Sequence, residues 1–382
     1  MNSRLKLINF ICVLFLLQQH PSFAAERTPV LLGYSGPLTG MSSEYGKSLM
    51  RAVQLAIDEE NEKNPKVGDQ DVTFKLLAQD DRVDANLAVN VANYFIKAGV
   101  VGVIGNTNTT NSMATSAIFN DAELAHISPS TTGKAYTEQG HRSAFRMVGR
   151  DDKALQLLAP YLVHSLKAQK IAVIDNQTAF GTAAGKVFKD AVNETGGHVV
   201  MSGSVSSRTS DFNAVLTHIR QAQADYVFFG GTAEQGAALA RNINRMGLSL
   251  RLVSAMAGMA GNLFLTIEPN AAAGTLSVEP GQPLHQMPGW KVFEKRYIGS
   301  YGNEINQFTI FAYDAAKVLI QAIKDSKTID RARIVESLHK IDYMGATGPI
   351  SFDSAGDRNF SVFTVYEVQQ HKWLPVKILS PS

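Results

Sequence analysis

The sequence predicts an α/β fold of two lobes, each with a parallel β-sheet covered by helices on both faces. Short, continuously apolar segments alternate with longer segments whose apolar residues recur at helical spacing, through most of the 382 residues. Strands of continuous apolar character are typical of parallel sheets buried between helices. The order strand, glycine, polar residue, helix occurs at both 100–107 and 226–232, which favours two lobes of similar design.

The individual elements follow from local patterns. Leu49, Val53 and Ile57 recur at helical spacing, and Gly99 ends a helix predicted at 85–98. The other predicted helices lie at 110–122, 154–167, from 181, and at 212–221, 233–245, 289–301, 308–323 and 331–340. The predicted strands lie at 29–35, 72–78, 100–105, 124–128, 170–175, 199–205, 225–229, 250–255, 362–368 and 374–378.

Residues 1–24 have the pattern of a cleavable signal peptide. Arg4 and Lys6 precede an apolar run at 7–17, and S-F-A at 22–24 fits a small-x-small cleavage site. The run is shorter than the ~20 residues that a membrane-spanning helix needs. We therefore expect the chain to be exported.

Composition and charge narrow the functional classes. Hydrophobic residues make up 45% and charged residues 18%, as in a globular protein with a large core. The one cysteine, Cys12, lies in the predicted leader, so no disulfide is expected. Without Arg4 and Lys6 the basic count is 36 − 2 = 34, which equals the 34 acidic residues. This neutral balance does not attract nucleic acid or an acidic membrane.

The sequence offers no convincing motif for catalysis or for a metal. The G-K-S at 46–48 is similar to the end of a phosphate-binding loop, but Met41 stands where the loop's first glycine is required. No histidine after the leader has another within four residues, so neither a metal nor a cofactor is expected. Adjacent Asp80 and Asp81 point in opposite directions at a strand end, which favours a turn or hinge contact over a shared acid–base site. We therefore do not expect an enzyme.

Hydroxyl and amide side chains follow the predicted strands at their carboxyl ends. Residues 100–112 read V-V-G-V-I-G-N-T-N-T-T-N-S, and residues 126–132 read H-I-S-P-S-T-T. The first run also lies where a helix begins, and helix starts bind small anions through unsatisfied N–H groups and partial positive charge. Related stretches occur at 35–45, 176–180, 230–232 and 254–256. Because ligands of open parallel sheets bind at this edge, we predict a site between the lobes for a small polar ligand with an apolar part.

Taken in order, these runs resemble one protein family. The runs that carry the resemblance are S-G-P-L-T-G, V-I-G-N-T-N-T-T, I-S-P-S-T-T, I-A-V-I-D-N-Q-T-A-F-G and D-Y-V-F-F-G-G, with T-G-P-I-S-F-D-S-A-G-D near the end. They are similar to type I periplasmic solute-binding proteins of the leucine/isoleucine/valine-binding kind, which serve ABC importers. The resemblance extends over nearly all of the chain after the leader.

The resemblance implies two Rossmann-like lobes joined by a three-crossover hinge, with the ligand between them. Lobe one would comprise 25–147 and 279–353, and lobe two 148–278 and 354–382. The partners implied are a small-molecule solute and the membrane permease of an ABC importer. The family also implies a monomer.

Ligand roles follow from the resemblance residue by residue. Thr109, Ser130 and Thr132 match positions that hold the α-carboxylate of the ligand, and Thr131 belongs to the same run. The aromatic residues that match pocket walls are Tyr45, Phe180 and Phe308. The full predicted site consists of Tyr45, Thr109, Ser130, Thr131, Thr132, Phe180, Thr232, Met256 and Phe308.

Two positions depart from the leucine-type pattern. Those proteins have a tyrosine in place of Thr232, and they have a glutamate for the ligand ammonium where this chain reads S-A-M-A, with Met256 as an adaptable apolar wall. A buried ammonium without a carboxylate partner costs on the order of several kcal/mol. Either another acid, such as Glu234 or Glu279, takes that role, or the solute has no ammonium group.

We therefore expect a periplasmic receptor that captures a small carboxylate-bearing solute, similar to a branched-chain or hydrophobic amino acid, and delivers it to an importer. A receptor of the same fold for an aromatic or aliphatic carboxylate, or for an amide, is the alternative if the solute lacks an ammonium. A ligand sensor of this fold and an enzyme on a doubly wound fold are the further alternatives.

Overall fold

The fold is described from a computed structural model, which covers residues 27–255, 262–268, 273–302 and 305–380. The predicted signal peptide and Met256 lie outside these residues. The elements up to the end of the first sheet are β1 (Thr28–Gly36), α1 (Ser43–Asn61), β2 (Lys66–Val67), β3 (Gln70–Asp80), α2 (Ala85–Lys97), β4 (Gly102–Gly105), α3 (Thr109–Asp121), β5 (Ala125–Ser128), α4 (Ala135–Glu138) and β6 (Ala144–Arg146).

The second sheet is built mainly from the middle of the chain. Its elements are α5 (Asp151–Pro160) with a π-helical turn at Tyr161–Ser165, β7 (Ile171–Asp175), α6 (Ala179–Glu194), β8 (Val199–Ser204), α7 (Asn213–Gln221), β9 (Tyr226–Gly230), α8 (Ala233–Arg245), β10 (Arg251–Ala255), α9 (Asn262–Ile267) and β11 (Leu276–Pro280). The remaining elements are a 3₁₀ turn at Leu284–Gln286, α10 (Trp290–Tyr301), α11 (Thr309–Ser326), α12 (Arg331–Leu338), β12 (Tyr343–Gly345), β13 (Gly348–Ile350), β14 (Phe363–Gln369) and β15 (Lys372–Leu379).

The first sheet has the strand order β2-β3-β1-β4-β5-β6, and all pairs except β2 with β3 are parallel. Helices α1 and α11 pack against each other and belong to the large core on one face. A smaller core on the other face includes Phe95 and Phe119 from α2 and α3. Both faces are therefore covered, which explains why the central strands are apolar throughout.

The second sheet has the order β15-β14-β11-β10-β9-β7-β8. Its strands from β8 to β11 are parallel, whereas β14 pairs antiparallel with β11 and with β15. A core containing α5 and α6 covers one face, and a core containing α7, α8 and α9 covers the other. The predicted α/β fold with two sheets is confirmed, with β2, β14 and β15 as antiparallel additions.

The chain crosses between the two sheets three times. The first crossing follows β6, the second follows β11, and the third runs from β13 to β14. This places α10, α11 and α12 on the first sheet, although they follow the second sheet in sequence.

A buried ion pair ties the first crossing to the third. The guanidinium of Arg146 is fully buried and donates to the carboxylate of Asp357, to the carbonyl of Thr131 at 3.2 Å and to the hydroxyl of Thr137 at 2.7 Å. Arg150 also donates to Asp357, at 3.3 Å. Several acceptors around one guanidinium satisfy the charge that burial would otherwise destabilise.

Most predicted elements match the observed ones to within a few residues. Helix α8 has the predicted bounds, and a turn with positive φ at Gln370 and His371 joins β14 to β15, between the two last predicted strands. The short strands β6, β11, β12 and β13 were not predicted. None of the helices in the described part of the chain has both the length and the apolar character needed to span a bilayer.

Candidate functional site

Asn106, directly after β4, holds the ends of three neighbouring strands together. Its side-chain Nδ2 donates to Ser35 Oγ at 2.8 Å and to Asp81 Oδ2 at 3.0 Å, and its Oδ1 accepts from Thr115 Oγ1 at 2.8 Å. Asn106 and Asp81 are fully buried. This network holds the loop that leads into α3 against the ends of β1 and β3.

The backbone of Asn106 is bound equally tightly. Its N–H donates to His126 Nε2 at 2.9 Å, and its carbonyl accepts from Ser128 Oγ at 2.7 Å. His126 is fully buried, and burial lowers the pKa of its imidazole from the usual 6.5 to about 3. The ring is therefore neutral at physiological pH, as its role as acceptor requires.

The two hydroxyl runs meet at the start of α3. The Asn108 side chain caps this helix by accepting from the N–H of Asn111 at 2.9 Å. Thr109, the first residue of the helix, accepts from the N–H of Gly133 at 3.2 Å, and Ser130 donates to the carbonyl of Thr107 at 3.1 Å. Thr109, Ser130, Thr131 and Thr132 thus lie around one helix N-terminus.

Close packing between these runs depends on Gly133. A Cβ atom at this position would lie 2.4 Å from Thr109 Cγ2 and 2.9 Å from Thr109 Oγ1. No side chain fits there unless Thr109 moves. The glycine therefore lets the second run approach the first residue of α3.

The neighbouring threonines of the second run have different partners. The hydroxyl of Thr131 lies 2.7 Å from Ser112 Oγ, and its N–H donates to Ser128 Oγ at 3.0 Å. The carbonyl of Thr132 accepts from the N–H of Asp151, at the start of α5, at 3.0 Å. The second run is thereby attached to the first helix after the crossing.

Several buried polar atoms at this place have no hydrogen-bond partner among the described residues. They are Asn108 Nδ2, both side-chain polar atoms of Asn111, and Asp151 Oδ2. Burial, and next the nearby charge of Asp152, raise the pKa of Asp151 to about 7, although Arg146 opposes the shift. Buried polar atoms are almost always satisfied, so these atoms mark a place where a further polar partner fits.

Two aromatic residues of the predicted site stand beside the hydroxyl runs. The rings of Tyr45 and Phe308 meet edge to face with centroids 6.1 Å apart. Tyr45 also forms a side-chain hydrogen bond with Ser130, and the charge of Glu279 acts on it. Burial is the main reason that the pKa of Tyr45 is raised.

Phe180 and Thr232 lie at helix starts of the second sheet. Phe180 is half-buried near the start of α6, where Thr178 caps the helix by accepting from the N–H of Gly181 at 3.0 Å. Thr232 is exposed and caps α8 by accepting from the N–H of Gln235 at 3.3 Å. Helices α3 and α6 contact each other, so the helix starts of the two sheets lie on facing elements.

The sequence did not single out the residues that support this site. Arg146 was not predicted to have a role, although a charged residue inside the apolar run A-F-R-M-V signals a buried pair. Asn106 and His126 were predicted only as members of the two polar runs, without a supporting role of their own. Asp80 and Asp81 do not share a site: Asp80 accepts from the N–H groups of Leu38 and Arg82, whereas Asp81 joins the Asn106 network. Across the described residues, no group of His, Cys, Asp and Glu side chains is arranged to hold a metal ion.

Solved structures of other solute-binding proteins share this fold. The leucine-binding protein LivK of Thermotoga maritima has a TM-score of 0.85 and 24% identity, covering 92% of this chain and 99% of that chain. The LivJ protein of Streptococcus pneumoniae, solved with isoleucine, has a TM-score of 0.84 and 21% identity, covering 93% and 100%. A solute-binding protein of an ABC transporter from R. palustris, in complex with 4-hydroxybenzoate, has a TM-score of 0.82 and 19% identity, covering 92% and 97%.

Sequence comparison agrees with the fold. Leu/Ile/Val-binding protein homolog 2 of Brucella abortus is 28% identical over 339 residues, which are 88% of this chain and 90% of that protein. A leucine-, isoleucine-, valine-, threonine- and alanine-binding protein of Pseudomonas aeruginosa is 26% identical over 347 residues, 91% of each chain. The sequence profile of the family described as periplasmic binding proteins matches residues 29–372. Because this match extends over most of the sequence, the chain belongs to the periplasmic binding protein family.

Proposed function

We propose that this protein is the solute receptor of an ABC importer, which captures a small carboxylate-bearing molecule between its lobes and delivers it to a membrane permease. The observation that carries the proposal is the start of α3, where buried amide atoms of Asn108 and Asn111 have no partner among the described residues. Hydroxyl groups surround the same helix end. A helix N-terminus of this kind favours a bound anion.

The carboxylate clamp would consist of Thr109, Ser130 and Thr132, with Thr131 supporting the run. Thr109 and Ser130 are nearly buried, so a carboxylate held by them would be shielded from water. Hydrogen bonds to a charged group contribute about 1.5–3 kcal/mol each. The carboxylate oxygens of the ligand would accept hydrogen bonds from the hydroxyl and N–H groups at this helix end.

The remaining predicted residues would form the walls of the site. Tyr45 and Phe308 would cover the apolar part of the solute from the first lobe. Phe180, Thr232 and Met256 would face it from the second lobe and set selectivity. We assign 25–147 and 279–353 to lobe one and 148–278 and 354–382 to lobe two, with β11 continuing to Pro280 at the second crossing. Binding would close the lobes about the three crossings.

The names of the similar proteins support one of the two candidate classes of solute. Curated relatives are named for leucine, isoleucine and valine, which supports a branched-chain or hydrophobic amino acid. The second candidate is an aromatic or aliphatic carboxylate or an amide. The S-A-M-A sequence that begins at the end of β10 favours that candidate because it contains no acid, and one structural neighbour holds 4-hydroxybenzoate.

We also propose a compartment and an oligomeric state for the protein. Residues 1–24 would be removed on export, and the mature chain would act in the periplasm as a monomer that needs no cofactor. It would bind its solute without changing it, as a receptor rather than an enzyme or a cytoplasmic sensor.

A thermal-shift screen of the mature protein tests this function. Amino acids, aromatic acids, aliphatic acids and amides would be added separately, and the compound that binds would be recovered and identified by mass spectrometry. A tight ligand should raise the free energy of unfolding by about 2.7 kcal/mol at a hundredfold excess over Kd. Recovery of an unchanged solute supports the receptor, and recovery of a chemically altered solute contradicts it.

A further inference from the structure

Asn306 connects the two members of the aromatic pair, Tyr45 and Phe308. Its Oδ1 accepts from the backbone N–H of Phe308 at 2.9 Å, and its Nδ2 donates to Ser48 Oγ at 2.6 Å. Ser48 lies near the start of α1, where its hydroxyl donates to the carbonyl of Tyr45 at 2.9 Å. One amide side chain therefore joins the backbone that carries Phe308 to the helical turn that carries Tyr45.

The hydrogen bonds of Ser48 explain why an amide stands at position 306. A hydroxyl group has one proton to donate and two lone pairs that accept. Ser48 donates its proton to the carbonyl of Tyr45, so its oxygen accepts from Asn306 and, at 3.3 Å, from the hydroxyl of Thr309. Thr309 in turn accepts from the backbone N–H of Asn306 at 2.9 Å. Only a side chain with both a donor and an acceptor completes this network, and asparagine has both.

The network is largely shielded from water. Ser48 and Thr309 are buried, and Asn306 is partly buried. Tyr297 of α10 also donates to the backbone carbonyl of Ser48, at 3.1 Å, so a neighbouring helix holds the same turn of α1. Buried polar networks whose members are satisfied make their surroundings rigid. The turn that carries Tyr45 is therefore fixed relative to Asn306.

The segment that carries Phe308 has a second attachment. Gln307 Nε2 donates to the carbonyl of Pro280, the last residue of β11, at 2.8 Å. Pro280 lies where the chain crosses between the sheets for the second time. Gln307 thus holds Phe308 to the crossing, whereas Asn306 holds it to α1. Of these two attachments, only that of Asn306 relates Phe308 to Tyr45.

The spacing of the aromatic pair depends on this connection. The ring centroids of Tyr45 and Phe308 are 6.1 Å apart, and the ring planes are inclined at 83°. Favourable aromatic pairs have centroids about 4.5–7 Å apart, so the present spacing is near the upper end. A small displacement of either ring changes both the contact between the rings and the space beside them.

We propose that Asn306 is a positioning residue of the solute site, which fixes the spacing of Tyr45 and Phe308 and thereby the size of the apolar group that the site accepts. The inference rests on the proposed function, in which these two rings cover the apolar part of the solute. Asn306 acts on selectivity through the two aromatic residues and need not contact the solute.

Two pairs of carboxylates test the aromatic pair by isothermal titration calorimetry. The pairs are leucine with alanine and benzoate with acetate, and the members of each pair differ in their apolar part. The wild-type protein should bind the larger member of at least one pair about tenfold or more tightly than the smaller one. Equal or tighter binding of the smaller members overturns the inference but leaves a carboxylate receptor intact. Binding of none of the four compounds contradicts the proposed function and, with it, the role of Asn306.

Variants on the two sides of the connection show whether Asn306 is responsible. In Asn306→Ala the preference for the larger compound should fall about tenfold, whereas the Kd of the smaller compound should change by less than about threefold. Ser48→Ala breaks the same connection from α1 and should lower the preference in the same direction. The double variant should show no greater loss than the more affected single variant, because residues of one network do not act additively.

Asn61→Ala is the matched control. Asn61 is the last residue of α1, and its amide also makes two hydrogen bonds, to the carbonyl and from the N–H of Phe74, each at 2.9 Å. Its loss should lower the melting temperature and leave the preference unchanged. An unchanged preference in Asn306→Ala, or an equal loss of affinity for both compounds, overturns the assignment. If Asn306→Ala does not fold, the preference measured for Ser48→Ala decides.

Discussion

The side chain of Asn106 donates to Asp81 across 3.0 Å, and both residues are fully buried at the ends of β4 and β3, the strands on either side of β1. The two positions are 25 residues apart in the sequence. Ser35 completes the triangle by donating to the same carboxylate oxygen at 3.1 Å. The carboxylate of Asp81 therefore holds the loop that leads from β4 into α3, and the ligand does not need to contact this carboxylate.

We expect Asp81→Ala to destabilise the protein by about 2–4 kcal/mol, because two buried donors lose a charged acceptor. Denaturant unfolding followed by circular dichroism measures this change. Asp69→Ala provides the control, since Asp69 is exposed in a turn, and it should change stability by less than about 0.5 kcal/mol. Similar small effects of both substitutions would show that the Asn106 network does not hold the loop.

Thr132→Val and Thr131→Val form a matched pair within the second hydroxyl run. Thr132→Val should weaken solute binding by roughly 1–3 kcal/mol through a lost hydrogen bond to the carboxylate. Thr131→Val should mainly reduce stability, since its hydroxyl is bound to Ser112. Calorimetric titration and thermal unfolding of both variants separate the two effects. Unchanged affinity in Thr132→Val would remove that hydroxyl from the clamp.

Gly133→Ala should disturb the clamp by steric contact alone. The new methyl group would lie 2.4 Å from Thr109 Cγ2, so we expect a loss of about 1–3 kcal/mol in stability together with weaker solute binding. In Gly299→Ala the added methyl group meets open space within α10, and it should be neutral or stabilising by up to about 1 kcal/mol. Equal melting temperatures and affinities for the two variants would contradict the close packing at Gly133.

The titration of Asp151 gives a pH-dependent prediction. Its folded-state pKa of about 7 is above the unfolded value, so the folded protein holds the proton more tightly. The resulting stability is present below about pH 4 and is lost as the pH rises through 7. The melting temperature of Asp151→Asn should therefore exceed that of the wild type by a margin that grows as the pH rises from 4 to 8. The corresponding difference in the free energy of unfolding is on the order of a few kcal/mol.

Comparing the two proteins at each pH removes the opposite contribution of His126. The lowered pKa of that imidazole makes the folded state less stable as the pH falls below 6.5, in both proteins alike. A melting-temperature difference that stays constant from pH 4 to 8 would show that Asp151 does not titrate in this range.

Apolar periodicity was sufficient to locate most strands and helices, because both sheets are covered on their two faces. Periodicity also predicted that the two hydroxyl runs lie close together, since β4 and β5 are parallel neighbours that end at the same edge. Periodicity did not reveal β6, which has only three residues, or β11, where Ser277 and Glu279 interrupt the apolar run. Their places depend on the crossings, which only the complete fold determines.

The contacts that shape the site are long-range, and this limits what local patterns reveal. Arg146 and Asp357 are 211 residues apart, and nothing near either residue identifies the other. The different partners of Thr131 and Thr132 depend on the backbone bend at Pro129 and Ser130, which residue type alone does not determine.

The carboxylate clamp is the central claim, and one titration tests it most directly. The best-binding solute and its methyl ester would be titrated into the mature protein under identical conditions. The account predicts 1:1 binding of the free acid and a loss of about 30-fold or more for the ester, because the ester cannot present a charged oxygen pair to Thr109, Ser130 and Thr132. Equal affinity for the acid and the ester would contradict it.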